Sequence, residues 1–155
     1  MDWTDIVTAL VAVYGAGLAT YNLIAQLRSS KARIKVEISL GFLTYPLGEL
    51  SEPMVILSAL NVGQKAVTLC SQGFLLPNGK KLVFPNPLSN VRFPHELLPG
   101  KSCQIWTEAA RLARDLNAQG YSCKVKLVGF YRDEIDTIYK SKPYEFDVEN
   151  WAKRS

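Results

Sequence analysis

A chain of 155 residues with 48% apolar and 21% charged side chains has room for one domain with a substantial core plus an appendage, and this composition excludes disorder over most of its length. The formal charge of +4 is spread along the chain, with no Arg-rich arm, helix-turn-helix spacing or aromatic RNA-binding signature, which argues against a nucleic-acid partner. Three cysteines, Cys70, Cys103 and Cys123, form no C-x-x-C pair and suit a reducing compartment, where a free thiol behaves as a small buried hydrophobe. A Cys103–Cys123 disulfide across adjacent strands is the alternative.

The first element is apolar. No charged residue occurs from Ile6 to Leu27, and Asp5 and Arg28 bracket the run. As a helix it is ~33 Å long, against a bilayer hydrocarbon core of ~30 Å, so its length fits one membrane span. Trp3 stands where an interfacial aromatic anchor belongs, and the basic residues Arg28, Lys31, Arg33 and Lys35 follow the run. Basic residues after the helix and none before it orient the chain with the N-terminus out and the remainder in the cytoplasm, at the inner membrane. The acidic start, MDWTD, argues against a cleaved signal peptide. Thr8, Ala12, Gly15, Ala19, Asn22 and Gln26 recur at three- and four-residue steps and draw a small, weakly polar face. In a membrane such a face favours packing between copies of the helix, hence a homo-oligomer. A soluble or peripheral helix packed on the following domain uses the same pattern, and sequence alone leaves both open.

From Ile34 the period changes to two. Ile34, Val36, Ile38, Leu40 and Phe42 alternate with Lys35, Glu37 and Ser39, as in a half-buried strand. Met54 to Leu60 reads as a more central strand ending at the Asn61-Val62-Gly63 turn. Val67 to Phe74, the Pro77-Asn78-Gly79-Lys80 hairpin turn and Leu82 to Phe84 follow. Then come Ser102 to Thr107, Ser122 to Arg132 with Gly129 marking a bulge, Thr137 to Lys140, and Tyr144 to Val148. One helix, Glu108 to Ala118 with Thr107 as N-cap and Gly120 past its end, interrupts seven or eight strands. The expected fold is mainly β: an Ig-like antiparallel sandwich over residues 34–155, preceded by a membrane helix and basic junction over residues 1–33.

The charge-free helix, the basic junction, Asn61-Val62-Gly63-Gln64-Lys65-Ala66-Val67, Leu76-Pro77-Asn78-Gly79 and Leu98-Pro99-Gly100 together resemble uncharacterised bacterial proteins that join one hydrophobic helix to an Ig-like domain. The resemblance implies a fold and carries no chemistry.

Residue patterns that carry chemistry are few. A single histidine, His95, excludes sites needing two imidazoles, and no phosphate-binding glycine loop or nucleophile elbow is present. No cofactor or metal is implied. Enzymatic activity survives only as a Cys-His dyad of His95 with Cys103 or Cys123. Asp133, Glu134 and Asp136 read as a solvated turn rather than a metal loop. Residues 85–100 form a long, proline-rich connection whose Asn90, Arg92, Phe93, His95 and Glu96 make a candidate binding loop, against the plainer reading of a crossover between sheets. The function expected is a membrane-anchored, non-catalytic binding or scaffolding module with a protein partner. The alternative is an oligomeric membrane effector, of the antiviral-defence kind, that senses a small anionic or nucleotide ligand.

Overall fold

The structure is a computed structural model and describes residues 2–29, 31–46 and 48–153, with the side chains of residues 28 and 29 left outside that description. The apolar run forms α1 (Trp3–Ser29), with Asp5 in its first turn, where a carboxylate complements the helix dipole. Its 27 residues make a rod of ~40 Å.

Ten strands follow. One antiparallel sheet contains β1 (Ile34–Gly41), β2 (Met54–Asn61), β5 (Leu88–Ser89) and β7 (Ser102–Glu108), in the order β1-β2-β7-β5. The other is built on β3 (Val67–Leu75) and β8 (Lys124–Asp133). On the outer flank of β3 lie β4 (Lys81–Val83) and β6 (His95–Leu97), one at each end of it. On the outer flank of β8 lie β9 (Ile138–Lys140) and β10 (Tyr144–Asp147). The period-two apolar residues of both sheets meet in one core containing Val36, Leu57, Leu69, Phe74, Leu127 and Tyr131. A buried hydrogen bond joins the layers: the Tyr131 hydroxyl on β8 donates to the Leu57 carbonyl on β2 at 2.7 Å.

All the strands expected from alternation are present, and the two beyond that number, β5 and β6, lie inside residues 85–100. Gly129 marks no bulge. It stands in register opposite Phe74, and the irregularity in that ladder lies at Leu69/Ser71. Its glycine serves close packing, because a Cβ there would come within 2.2 Å of Leu57 Cδ1 and 3.1 Å of Ile38 Cγ1 from the facing sheet.

The helix α2 (Ala109–Ala118) crosses from β7 to β8 and starts beside Pro53, at the end of β2 opposite the Arg33 junction. Ala109, Leu112, Ala113 and Leu116, at helical spacing, are its buried face. Thr107 is not its N-cap: it pairs with Val55 inside β7, and the Ala109 N–H donates to the Pro53 carbonyl at 2.9 Å instead. At the other end Gly120, at φ +91°, donates to Asn117 O and Tyr121 donates to Leu116 O, the pairing of a Schellman motif. Val148, expected as the last strand residue, begins a third helix, α3 (Val148–Ala152). The Asp147 carboxylate caps it by accepting the Asn150 N–H at 3.1 Å.

Candidate functional site

Two regions stand apart from the core: α1, and a groove on the side of the β domain that β1 borders. In α1 every described side chain from Asp2 to Leu27 is exposed, and no part of the apolar window from Trp3 to Leu27 is buried by the β domain. Leu10, Val11, Val13 and Tyr14 are all among the exposed large apolar residues. The helix is therefore long and apolar enough to cross a membrane, and it does not pack on the folded domain. Two of its polar groups are satisfied within the helix: Thr8 Oγ1 donates to Thr4 O at 2.7 Å and Thr20 Oγ1 to Ala16 O at 2.9 Å. Thr8, Ala12, Gly15, Ala19, Asn22 and Gln26 lie along one uncovered face, and Trp3 stands fully outside at 78% exposure.

The basic junction is tied to the β domain through its backbone. Val62 and Gly63 both donate to the Arg33 carbonyl, at 2.9 and 3.2 Å. The turn that does this is organised by Asn61, which is fully buried. Its amide donates to Lys65 O and Leu97 O, each at 2.8 Å, and its carbonyl oxygen accepts from Gly63 N at 3.0 Å. Lys31 and Arg33 are exposed beside this clip, while the Arg28 side chain lies outside the described residues.

Residues 85–100 are the crossover. The chain leaves β4 in one sheet, pairs as β5 with Trp106 and Ile105 in the other, and returns as β6 to Val67–Leu69. Asn90 takes part in this stitching: its N–H donates to Gln104 O and its side-chain oxygen accepts the Gln104 N–H at 2.8 Å. Phe93 packs on Tyr131, ring centroids 6.2 Å apart, and edge-on against His95 at 6.5 Å. Arg92 and Glu96 are exposed. The five candidates thus divide between seam and surface, and the cavities described below are lined by other residues.

The three cysteines are free. Cys103 is fully buried beside the Tyr131 hydroxyl; burial, opposed by the Tyr131 hydroxyl, pushes its thiol up to about 11, which keeps it protonated and a poor nucleophile at neutral pH. Cys123 is exposed. In the acidic turn Glu134 and Asp136 are exposed as expected, and Asp136 pairs with Arg132 at 3.0 Å. Asp133 departs from the solvated-turn reading. It is buried because its carboxylate accepts from Ile135 N, Thr137 N and Tyr139 Oη, replacing water with three fixed donors. Burial, together with the facing Asp133, pushes the Tyr139 hydroxyl up to about 12. Among the described residues no three His, Cys, Asp or Glu side chains cluster as a metal would need.

A groove of about 670 Å³ runs between β1 and residues 140–144. Its walls combine Ile34, Val36, Ile38 and Tyr144 with Lys35, Lys140 and Lys142. A second, of about 450 Å³, lies between Lys31, Lys65 and the 133–139 hairpin, beside the junction. Sequence reading missed both, because each is made by elements distant in the chain. The one local signal was Pro143, which interrupts the alternation between β9 and β10 and so marks an edge.

No family model and no curated protein matches the chain. Among solved structures it is similar to the X-ray structure of Northeast Structural Genomics Consortium target SoR45, with 13% identity, 77% of this chain and 88% of that chain covered, and a TM-score of 0.32. A likeness at that level carries no argument about fold family or function.

Proposed function

We propose that this chain is a membrane-anchored, non-catalytic binding or scaffolding module of the helix-plus-Ig-like kind. Residues 1–33 supply a single inner-membrane span and junction, N-terminus out, and residues 34–155 an Ig-like sandwich in the cytoplasm that engages a protein partner. The observation that carries the reading is the uncovered apolar helix: its side chains gain no burial from the β domain, so their transfer from water requires another apolar phase. The backbone clip at Arg33 supports it, since it fixes the domain next to the span. Self-association through Thr8, Ala12, Gly15, Ala19, Asn22 and Gln26 belongs to the same proposal.

Affinity purification of the tagged full chain from native membranes tests it. Specific recovery of a second protein, lost on deletion of the β domain and kept on replacement of α1 by an unrelated span, is expected. Recovery of the chain alone contradicts the binding reading.

The lysine-rimmed groove favours a second reading, a sensor of a small anionic or nucleotide ligand, because its volume falls within the range of ligand pockets. A thermal-shift screen of nucleotides and cyclic oligonucleotides against the full chain in detergent distinguishes the two, and a ligand-dependent shift moves the assignment to the sensor.

A further inference from the structure

The two flanks of the β domain are finished differently. On one flank the chain itself passes from β4 to β5 to β6, alternating between the sheets and lacing their edges together. On the other, β1 ends one sheet and β9 with β10 ends the other, with the groove of about 670 Å³ between them. Of these edges, that of β9 and β10 is interrupted by residues 141–143, where Ser141 turns its N–H and hydroxyl back onto Gly129 and Pro143 has no N–H to offer. β1 has no such interruption: its eight residues pair with β2 without a bulge, and among the described residues no strand pairs with its other side.

The hydrogen-bond phase of that open side follows from the ladder. Val62 N donates to Arg33 O, so Arg33 and Val62 form a hydrogen-bonded pair in the register that continues as Lys35 with Leu60 and Glu37 with Ser58. By alternation Ile34, Val36, Ile38 and Leu40 turn their N–H and C=O groups away from β2, and the first three of them line the groove. The charges on the groove are unequal. Lys35, Lys140 and Lys142 face one carboxylate, Glu37, which is paired with Lys35 at 2.6 Å.

We propose that the open edge of β1 is a strand-addition site for an extended, acidic segment of a partner protein, whose backbone pairs with Ile34, Val36 and Ile38 while its carboxylates meet Lys140 and Lys142. The inference rests on the binding-module reading and names where that binding occurs. Backbone pairing gives such a site its affinity, and the lysines its preference for acidic sequence.

The test uses the full chain in lipid nanodiscs and three capped eight-residue peptides: alternating Glu and Val, alternating Lys and Val, and the Glu-Val peptide N-methylated at every second residue. The Glu-Val peptide is expected to bind and to slow hydrogen exchange at Ile34, Val36 and Ile38. N-methylation is expected to weaken binding about tenfold or more, as loss of several backbone hydrogen bonds should. The Lys-Val peptide is expected to bind only the doubly substituted Lys140→Glu, Lys142→Glu chain, whose changes are on exposed side chains and leave the core intact. Failure of the Glu-Val peptide to bind, binding without protection of β1, or indifference to N-methylation would each overturn strand addition. A partner recovered from membranes that leaves β1 amides exchanging freely would overturn it too, while the binding-module reading stands; recovery of no partner at all is the separate failure of that reading.

Discussion

Asn61 does at one position what its turn sequence only hinted at: through three hydrogen bonds its side chain closes the β2–β3 turn, whose Val62 and Gly63 hold the Arg33 carbonyl, and ties that turn to β6. Asn61→Ala removes all three of these hydrogen bonds at a fully buried position and is expected to cost about 2–3 kcal/mol, measured by urea unfolding of the full chain in detergent. Gly129→Ala drives a methyl into Leu57 and is expected to cost about 1–3 kcal/mol by the same measurement. The buried Cys103 thiol gives a pH dependence. Its ordinary value of 9.0 is raised to about 11 in the fold, so in that interval the unfolded chain has lost a proton that the folded chain keeps. Stability therefore declines as pH rises from about 9 to 11 and is fully present below 9. Cys103→Ala is expected to make this decline shallower, leaving the part that begins near 10 from the Tyr131 and Tyr139 hydroxyls, both raised chiefly by burial, Tyr139 to about 12.

At the scale of elements, α2 is the best-defined packing unit outside the sheets. Leu116 is fully buried and also supplies the carbonyl of the helix stop, so Leu116→Ala is expected to cost about 2–5 kcal/mol in denaturant unfolding. Its end was legible in advance because Gly120 is the residue a left-handed C′ position selects, whereas its start was not, because a backbone carbonyl from Pro53 replaces the side-chain cap. The main strands were legible for a similar reason: alternation at Ile34–Ile38 and Tyr144–Asp147 is a local property that burial on one face imposes, although the pattern runs on to Leu40 and Phe42, which the fold leaves exposed. Inside residues 85–100 the alternation signal fails. There β5 and β6 are two and three residues long, too short to show a period, and their pairing depends on β7 and β3 far away in sequence. The groove was invisible for that reason as well, since Lys35 meets Lys140 and Lys142 only through the order of strands.

For the whole molecule, the architecture sets an exposed apolar rod beside a β domain that has one laced flank and one open flank. Thr8, Gly15 and Asn22, and likewise Ala12, Ala19 and Gln26, each recur every seven residues, the repeat of a left-handed helix seam. Ala12→Leu with Ala19→Leu is expected to shift the detergent-solubilised chain toward monomer in sedimentation, without changing its membrane association. The exposed Cys123 reports the compartment of the β domain: a membrane-impermeant maleimide is expected to label it only after the inner membrane is permeabilised. Alkaline carbonate extraction of membranes containing the full chain tests the proposed crossing of the bilayer by α1. The chain is expected to stay in the membrane pellet; quantitative release into the carbonate supernatant would rule out a span.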